Sequence, residues 1–195
     1  MTPDGRPASR LESATAMRAL AHPTRLRLLT LLREHGPQTA AQLGDVVDEA
    51  PGTVSYHLGK LAAVELIEPA ETRSSDKRER WWQATAALTS WEPSEQLSDP
   101  ARRAASASLE KSIAQVYAAR YSEYVDAMPT FPVEWVAAGT TGDRTLRLTL
   151  EELSAMKTEL ESLVERWVDT AARRDHDDGG PAVPVALVYQ AYRRP

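Results

Sequence analysis

Cysteine is missing from the 195 residues, which excludes a disulfide framework and any site that needs a thiolate. No apolar run approaches the roughly 20 residues needed to span a bilayer, and no signal-peptide pattern opens the chain. A cytoplasmic protein without membrane attachment is therefore expected. Phenylalanine occurs once and glycine only nine times. A glycine-rich dinucleotide loop is lacking, Gly139-Thr-Thr-Gly142 being a poor match. No Ser, His and Asp set and no paired-carboxylate motif stands out. These absences argue against an enzyme, and no cofactor is expected.

Acid outweighs base, with 28 Asp and Glu against 23 Lys and Arg and a net charge of −5, a balance that at first opposes binding to a polyanion. Its distribution removes the objection. Residues 1–90 carry eleven side chains of each sign, whereas residues 91–195 carry twelve basic against seventeen acidic. Local potential rather than total charge guides approach to nucleic acid, so a neutral first half with clustered cations can dock a duplex. The acidic half is expected to face away from it.

Residues 39–67 predict two short helices joined by a turn. Thr39 opens the first with a capping box, because its hydroxyl can accept from the Gln42 amide while the Gln42 side chain reaches back to the Thr39 N–H. Leu43, Val46 and Val47 supply an apolar stripe. Pro51 suits the first position of the second helix, expected over 51–64, since its φ is fixed and its missing N–H is not needed there. The 100° step gathers Val54, Leu58 and Leu61 on one arc and turns Gly52, Tyr56 and Ala63 outward, with Thr53, Ser55, Gly59 and Lys60 at the flanks. A merely solvated helix usually carries several Glu and Lys. This face of small residues, hydroxyls, one aromatic and one lysine suits entry into a major groove. Packing inside a larger protein is the alternative use of such a helix pair.

A hairpin candidate follows. Leu66 and Ile67 begin a strand, Glu71 to Arg80 is polar, and Trp81-Trp82-Gln83-Ala84 returns as a second strand. The tip carries Arg73, Lys77, Arg78 and Arg80 against Asp76 and Glu79, a set suited to phosphates or a minor groove and to affinity that falls with salt. A solvated hairpin without a partner is the plain alternative. Upstream, Leu11 to Leu20 and Pro23 to Glu34 predict two more helices, the second with a broad leucine face and ended by Gly36-Pro37. His22 is expected to pack or hydrogen-bond locally.

Taken in order, Leu20-Ala-His-Pro-Thr-Arg-Leu-Arg-Leu-Leu-Thr-Leu-Leu32, the capping-box helix, Thr53-Val-Ser-Tyr-His-Leu-Gly-Lys-Leu61 and the Arg80-Trp-Trp82 strand resemble the ArsR-type winged-helix transcriptional regulators of bacteria over residues 11–90. The resemblance implies a symmetric homodimer on double-stranded DNA with inverted-repeat half-sites, usually a repressor whose affinity a ligand alters. It places the recognition helix at 51–64, with Gly52, Thr53, Ser55 and Tyr56 where family members approach bases, and Arg73, Lys77, Arg78 and Arg80 in the wing. Two departures matter. Ala50 stands where many members have Ser at the N-cap, so the cap must come from Asp48 or Glu49, or the helix start is weaker by about 1 kcal/mol. Metal-sensing members resemble one another in Cys pairs near the recognition helix or Asp and His clusters on the helix after the wing. This chain has no Cys, and residues 101–127 contain no His, so no metal switch of that type is expected.

Residues 84–99 read as a connector with Trp91 as an anchor. Pro100 then starts a long helix to about residue 127, with Leu109, Ile113, Val116, Tyr117, Tyr121, Tyr124 and Val125 along one side. Its span of roughly 40 Å exceeds what one small domain needs for its own core, which suits a dimer contact. Beyond Pro129 and Pro132, Arg144 to Leu148 alternates like a strand, and Thr149 with Glu152 forms a second capping box. Leu153, Met156, Leu160, Leu163 and Trp167 repeat at helical spacing, and Val183 to Tyr192 reads as a strand. With Val133 to Ala137 as a third strand, these make a small α/β lobe. Its aromatics, among them Phe131, Trp135, Trp167, Tyr189 and Tyr192, could line a pocket for an apolar effector or fill the lobe's core, the commoner use. The loop Asp175-His176-Asp177-Asp178 offers hard metal ligands but reads as solvated.

The expected fold is mainly α, of the α+β class. A flexible N-terminus (1–10) precedes a winged helix-turn-helix domain (11–90), a connector with the long dimerisation helix (91–128) and the small C-terminal α/β lobe (129–195). The expected function is sequence-specific DNA binding by a transcriptional regulator, a homodimeric repressor with a small-molecule effector left open. Thr53, Ser55 and Tyr56 are candidates for base readout, Lys60 for phosphate and the wing arginines for the backbone or minor groove. The alternative is a winged-helix dimerisation or protein-interaction module without DNA binding, against which the cations of the wing weigh. Winged-helix modules also head some small-molecule methyltransferases, but the residues beyond the wing are too few for a nucleotide-binding α/β domain.

Overall fold

The computed structural model describes residues 8–71, 79–173 and 182–194. The chain forms two units, Met1–Tyr124 and Val125–Pro195. In the first, β1 (Ala8–Arg10) leads into α1 (Ala14–Leu20), α2 (Pro23–His35), β2 (Gln38–Thr39), α3 (Ala40–Val47) and α4 (Pro51–Ala62). The strands β3 (Ile67–Pro69), β4 (Trp81–Ala84) and β5 (Leu88–Ser90) follow, and then the helix α5 (Pro100–Ala127), whose last three residues belong to the second unit. The second unit contains α6 (Val133–Ala138) and α7 (Leu150–Ala172). A mainly helical α+β winged helix-turn-helix fold results.

The predicted capping box is formed: the Gln42 amide donates to the Thr39 hydroxyl at 3.2 Å, and the Thr39 amide to Gln42 Oε1 at 2.9 Å. Of the expected α3 stripe, Leu43 and Val47 are buried, but Val46 is 48% exposed. Gly44 takes its place at the contact. A Cβ there would lie 2.6 Å from the Glu49 carbonyl oxygen, so the turn between α3 and α4 closes against bare backbone. Asp48, at φ 57°, supplies the left-handed turn residue, and its N–H and that of Glu49 donate to the Gly44 carbonyl.

One core binds these elements. Leu28, Leu29 and Leu32 of α2 meet Leu43, Val54, Leu58, Leu61, Ile67, Trp82 and, from α5, Leu109. Each such side chain contributes about 1.5–3 kcal/mol through loss of water contact. The predicted first helix begins later than expected. Ser13 caps α1 by accepting from the Ala16 amide at 3.1 Å, which leaves Leu11 outside the helix yet buried.

The sheet runs β2-β4-β3, all antiparallel, with Ile67 opposite Ala84 and Glu68 opposite Gln83. Gln83 donates to Glu68 across that register at 2.9 Å, and Pro69 is tolerated because β3 is an edge. A parallel pairing of β1 with β5 ties residues 8–10, expected in a flexible arm, to residues 88–90, expected in a connector. Neither triplet has an alternating pattern long enough to announce it.

The strands expected in the C-terminal lobe are not formed. Residues 133–138 are helical as α6, where Glu134 in the first turn suits the positive end of the helix. Residues 144–148 and 183–192 form no strand. An alternating sequence becomes a strand only when a neighbour takes up its backbone N–H and C=O groups, and neither segment has such a ladder among the described residues. α7 forms as predicted, with both capping-box hydrogen bonds of Thr149 and Glu152 in place. No helix among the described residues is long and apolar enough to cross a membrane.

Candidate nucleic-acid interface

α4 is the centre of the site. Val54, Leu58 and Leu61 are fully buried beneath it, and this fixes which residues reach the surface. Gly52, Thr53, Ser55, Tyr56, Gly59 and Lys60 are all exposed, and the helix holds no Asp or Glu. Tyr56 is 61% exposed, and the Lys60 ammonium lies 5.3 Å from its ring centroid, so one cation and one aromatic hydroxyl share a patch. A Cβ added at Gly52 or Gly59 would meet nothing within 4 Å, so neither glycine is demanded by packing. They keep the outer face low.

The helix start differs from the expectation. Ala50 provides no side-chain cap, and neither Asp48 nor Glu49 replaces it. The first amides of α4 are left for solvent or a ligand. At the other end α4 stops at Ala62, two residues short of the expected boundary, because Glu65 adopts φ 58° and the Leu66 amide turns back to the Leu61 carbonyl.

An open cleft of about 380 Å³ separates α4 from the foot of the hairpin, with Thr39, Ser55, Gly59, Arg80 and Trp82 in its lining and one acid, Glu79, beside Arg80. Arg80 lies 4.2 Å over the Trp82 ring, which holds its guanidinium at the cleft edge. Ser55 and Arg80, predicted from separate parts of the sequence, thus face one space. Arg73, Lys77 and Arg78 lie outside the described residues.

Two side chains that the sequence reading did not connect with the site lie behind α4. His57 is only 8% exposed, and its ring stands edge-on to Tyr56 at 5.4 Å and 4.7 Å from that of His22. Burial is the largest cause holding both imidazoles below their ordinary pKa, and Arg25 adds to it for each. The signal for His57 was available. It falls three residues after Val54 and four before Leu61, on the same buried stripe.

Among the described residues no three His, Asp or Glu side chains are grouped to hold a metal. The acidic loop Asp175 to Asp178 lies outside them.

Residues 20–70 match the family model of a helix-turn-helix domain. No curated protein matches the chain. Among solved structures, a doubly substituted ZitR of Lactococcus lactis in its apo form is 22% identical, with a TM-score of 0.33 over 75% of this chain and 83% of that one. A MarR family regulator from Neisseria meningitidis is 19% identical, with a TM-score of 0.30 over 76% and 78%. Likenesses this loose carry no argument, and the helix-turn-helix match rests on residues 20–70 alone.

Proposed function

We propose that the protein is a sequence-specific DNA-binding transcriptional regulator of the ArsR-like type. It acts as a cytoplasmic homodimer on an inverted-repeat operator, as a repressor, without catalytic activity of its own. The observation that carries this reading is the exposed face of α4, from Gly52 to Lys60, free of acidic side chains and raised on a buried stripe. A 12-residue helix is about 18 Å long and fits a major groove. Thr53, Ser55 and Tyr56 offer hydroxyls to base edges, and Lys60 meets phosphate. Arg80 contacts the backbone at the foot of the wing, and Arg73, Lys77 and Arg78, which lie outside the described residues, are assigned the same role. Tyr117, Tyr121 and Val125 are exposed on α5, a face that a second copy would cover.

Duplexes selected from a random pool supply the test, followed by fluorescence anisotropy with the enriched sequence. Tyr56→Ala should weaken binding by about 1–3 kcal/mol and relax sequence preference. Arg80→Ala should weaken all duplexes alike and reduce the salt slope by about one. No enrichment, or no binding even in dilute buffer, overturns the reading.

A further inference from the structure

Where the first turn of α2 meets the inner edge of α4, three nitrogen atoms are buried without a partner: His22 Nδ1, His57 Nδ1 and Arg25 Nε. Buried polar atoms without a hydrogen bond are uncommon in native proteins, and each asks for a missing partner. The surroundings say which kind. His22 is the N-cap of α2 but gives it no side-chain cap, so the first amides of a 13-residue helix are left unpaired by protein. His57, more than nine-tenths buried, lies with its ring against that N-cap residue. No carboxylate comes within ion-pair distance of Arg25 among the described residues. Free amides and a guanidinium donate here, each neutral imidazole can add one N–H, and Glu49 is the one acid that acts on the pair, so the cluster has room for an anion.

The cluster also lies beside the α4 face. The Tyr56 ring stands edge-on to that of His57 and carries Lys60 over it. We propose that Arg25, the uncapped start of α2 and the His22–His57 pair form an anion site that takes one phosphodiester group of the duplex, at the flank of the groove that α4 enters. This rests on the DNA-binding function proposed above and adds a phosphate contact outside the recognition helix and wing. Such a contact fixes the register of the helix rather than reading a base.

A protonic signature accompanies it. In the free protein burial, Arg25 and, for His57, the neighbouring His22 disfavour the imidazolium, while Glu49 is the one acid that favours it. A phosphate held at Arg25 adds a second favourable charge. The imidazoles are then more basic in the complex than in the free protein, and DNA binding takes up protons. By linkage, affinity should rise as pH falls from 8 to 6.5, beyond any change shown by a variant without the site.

The probe is a fluorescein-labelled 30-base-pair duplex of mixed sequence at low salt, titrated at several salt concentrations and at pH 8 and 6.5. Arg25→Gln should bind about tenfold more weakly, with a salt slope lower by about one and a smaller pH effect, while Arg25→Lys recovers most of the slope. His22→Asp is the control for folding. It places a carboxylate cap on the same amides, so it should melt at a higher temperature yet bind the duplex more weakly, a combination that a purely structural histidine would not give. If the unaltered protein binds but Arg25→Gln and His22→Asp bind equally well, the proposal falls and the DNA reading stands. If the unaltered protein binds no duplex, the DNA reading itself has failed. Histidine NMR with inorganic phosphate against chloride at equal ionic strength separates the sources. Shifts at His22 and His57 without any effect of Arg25→Gln on duplex affinity would mean a free-anion site and overturn the assignment to DNA.

Discussion

α3 and α7 begin with the same device and end in opposite surroundings. Each has a threonine N-cap whose hydroxyl accepts from the third amide, answered by a Gln or Glu side chain reaching back. α3 buries Leu43 and Val47 against the core of the first unit, whereas α7 has no buried residue, and its Trp167 is 62% exposed. Capping is local chemistry and starts a helix wherever the four residues occur. Burial needs a second surface of matching shape. The first unit supplies one from its other helices and its sheet, and none of the described residues beyond Tyr124 is buried.

Truncating one leucine in each unit tests that contrast most severely. Leu58→Ala removes a side chain with no exposure from the centre of the core and should cost about 2–5 kcal/mol in urea unfolding. Leu160→Ala, on the half-buried stripe of α7, should cost under about 1 kcal/mol when the protein is dilute. If a second copy covers that stripe, the Leu160→Ala penalty should grow with protein concentration, as stability coupled to association does. Equal penalties at all concentrations would break the comparison.

The same contrast explains what could be read from the residues alone. Val54, Leu58 and Leu61 against Tyr56 and Lys60 follow from a 3.6-residue period, and both capping boxes follow from four-residue patterns. These are properties of one element. Val46 is expected inside because it is apolar, but the side of α3 pressed against the α3–α4 turn is decided by how closely Glu49 approaches, and only Gly44 fits. β1 and β5 were missed because their pairing joins residues 80 apart and uses three positions each. The C-terminal strands were over-read for the converse reason: Leu146, Leu148, Val185 and Leu187 alternate suitably, but alternation supplies no partner. The donor cluster at His22, Arg25 and His57 joins two helices 30 residues apart and has no motif of its own.

Gly44 gives the next effect in size. In Gly44→Ala the new Cβ meets the Glu49 carbonyl at 2.6 Å, a backbone atom that a rotamer change cannot move aside. Opening the α3–α4 turn to relieve it should cost about 1–3 kcal/mol by thermal or urea unfolding. Gly59→Ala, where the added Cβ meets nothing within 4 Å, should be neutral or stabilising inside a helix, by up to about 1 kcal/mol. Loss of stability in both would mean that the open side of α4 is packed.

The two capping boxes differ in a single respect that pH can read. The third residue of α3 is Gln42, which does not titrate, while that of α7 is Glu152, whose carboxylate accepts from the Thr149 amide at 2.7 Å. Those hydrogen bonds, to the Thr149 backbone first and its side chain second, hold the Glu152 carboxyl below its ordinary pKa of 4.5. A lowered carboxylate pKa favours the folded helix start above the ordinary value, and this contribution disappears as pH falls through the folded one. Acidification from pH 6 to pH 3 should therefore fray the first turn of α7 and leave that of α3 intact. Amide exchange at Thr149 and Thr39 measures the two directly. Glu152→Gln should abolish the acid response of α7, because a neutral amide can accept the same hydrogen bond at every pH. An equal response at Thr39 would trace the effect to general acid unfolding of the chain and remove the distinction between the two caps.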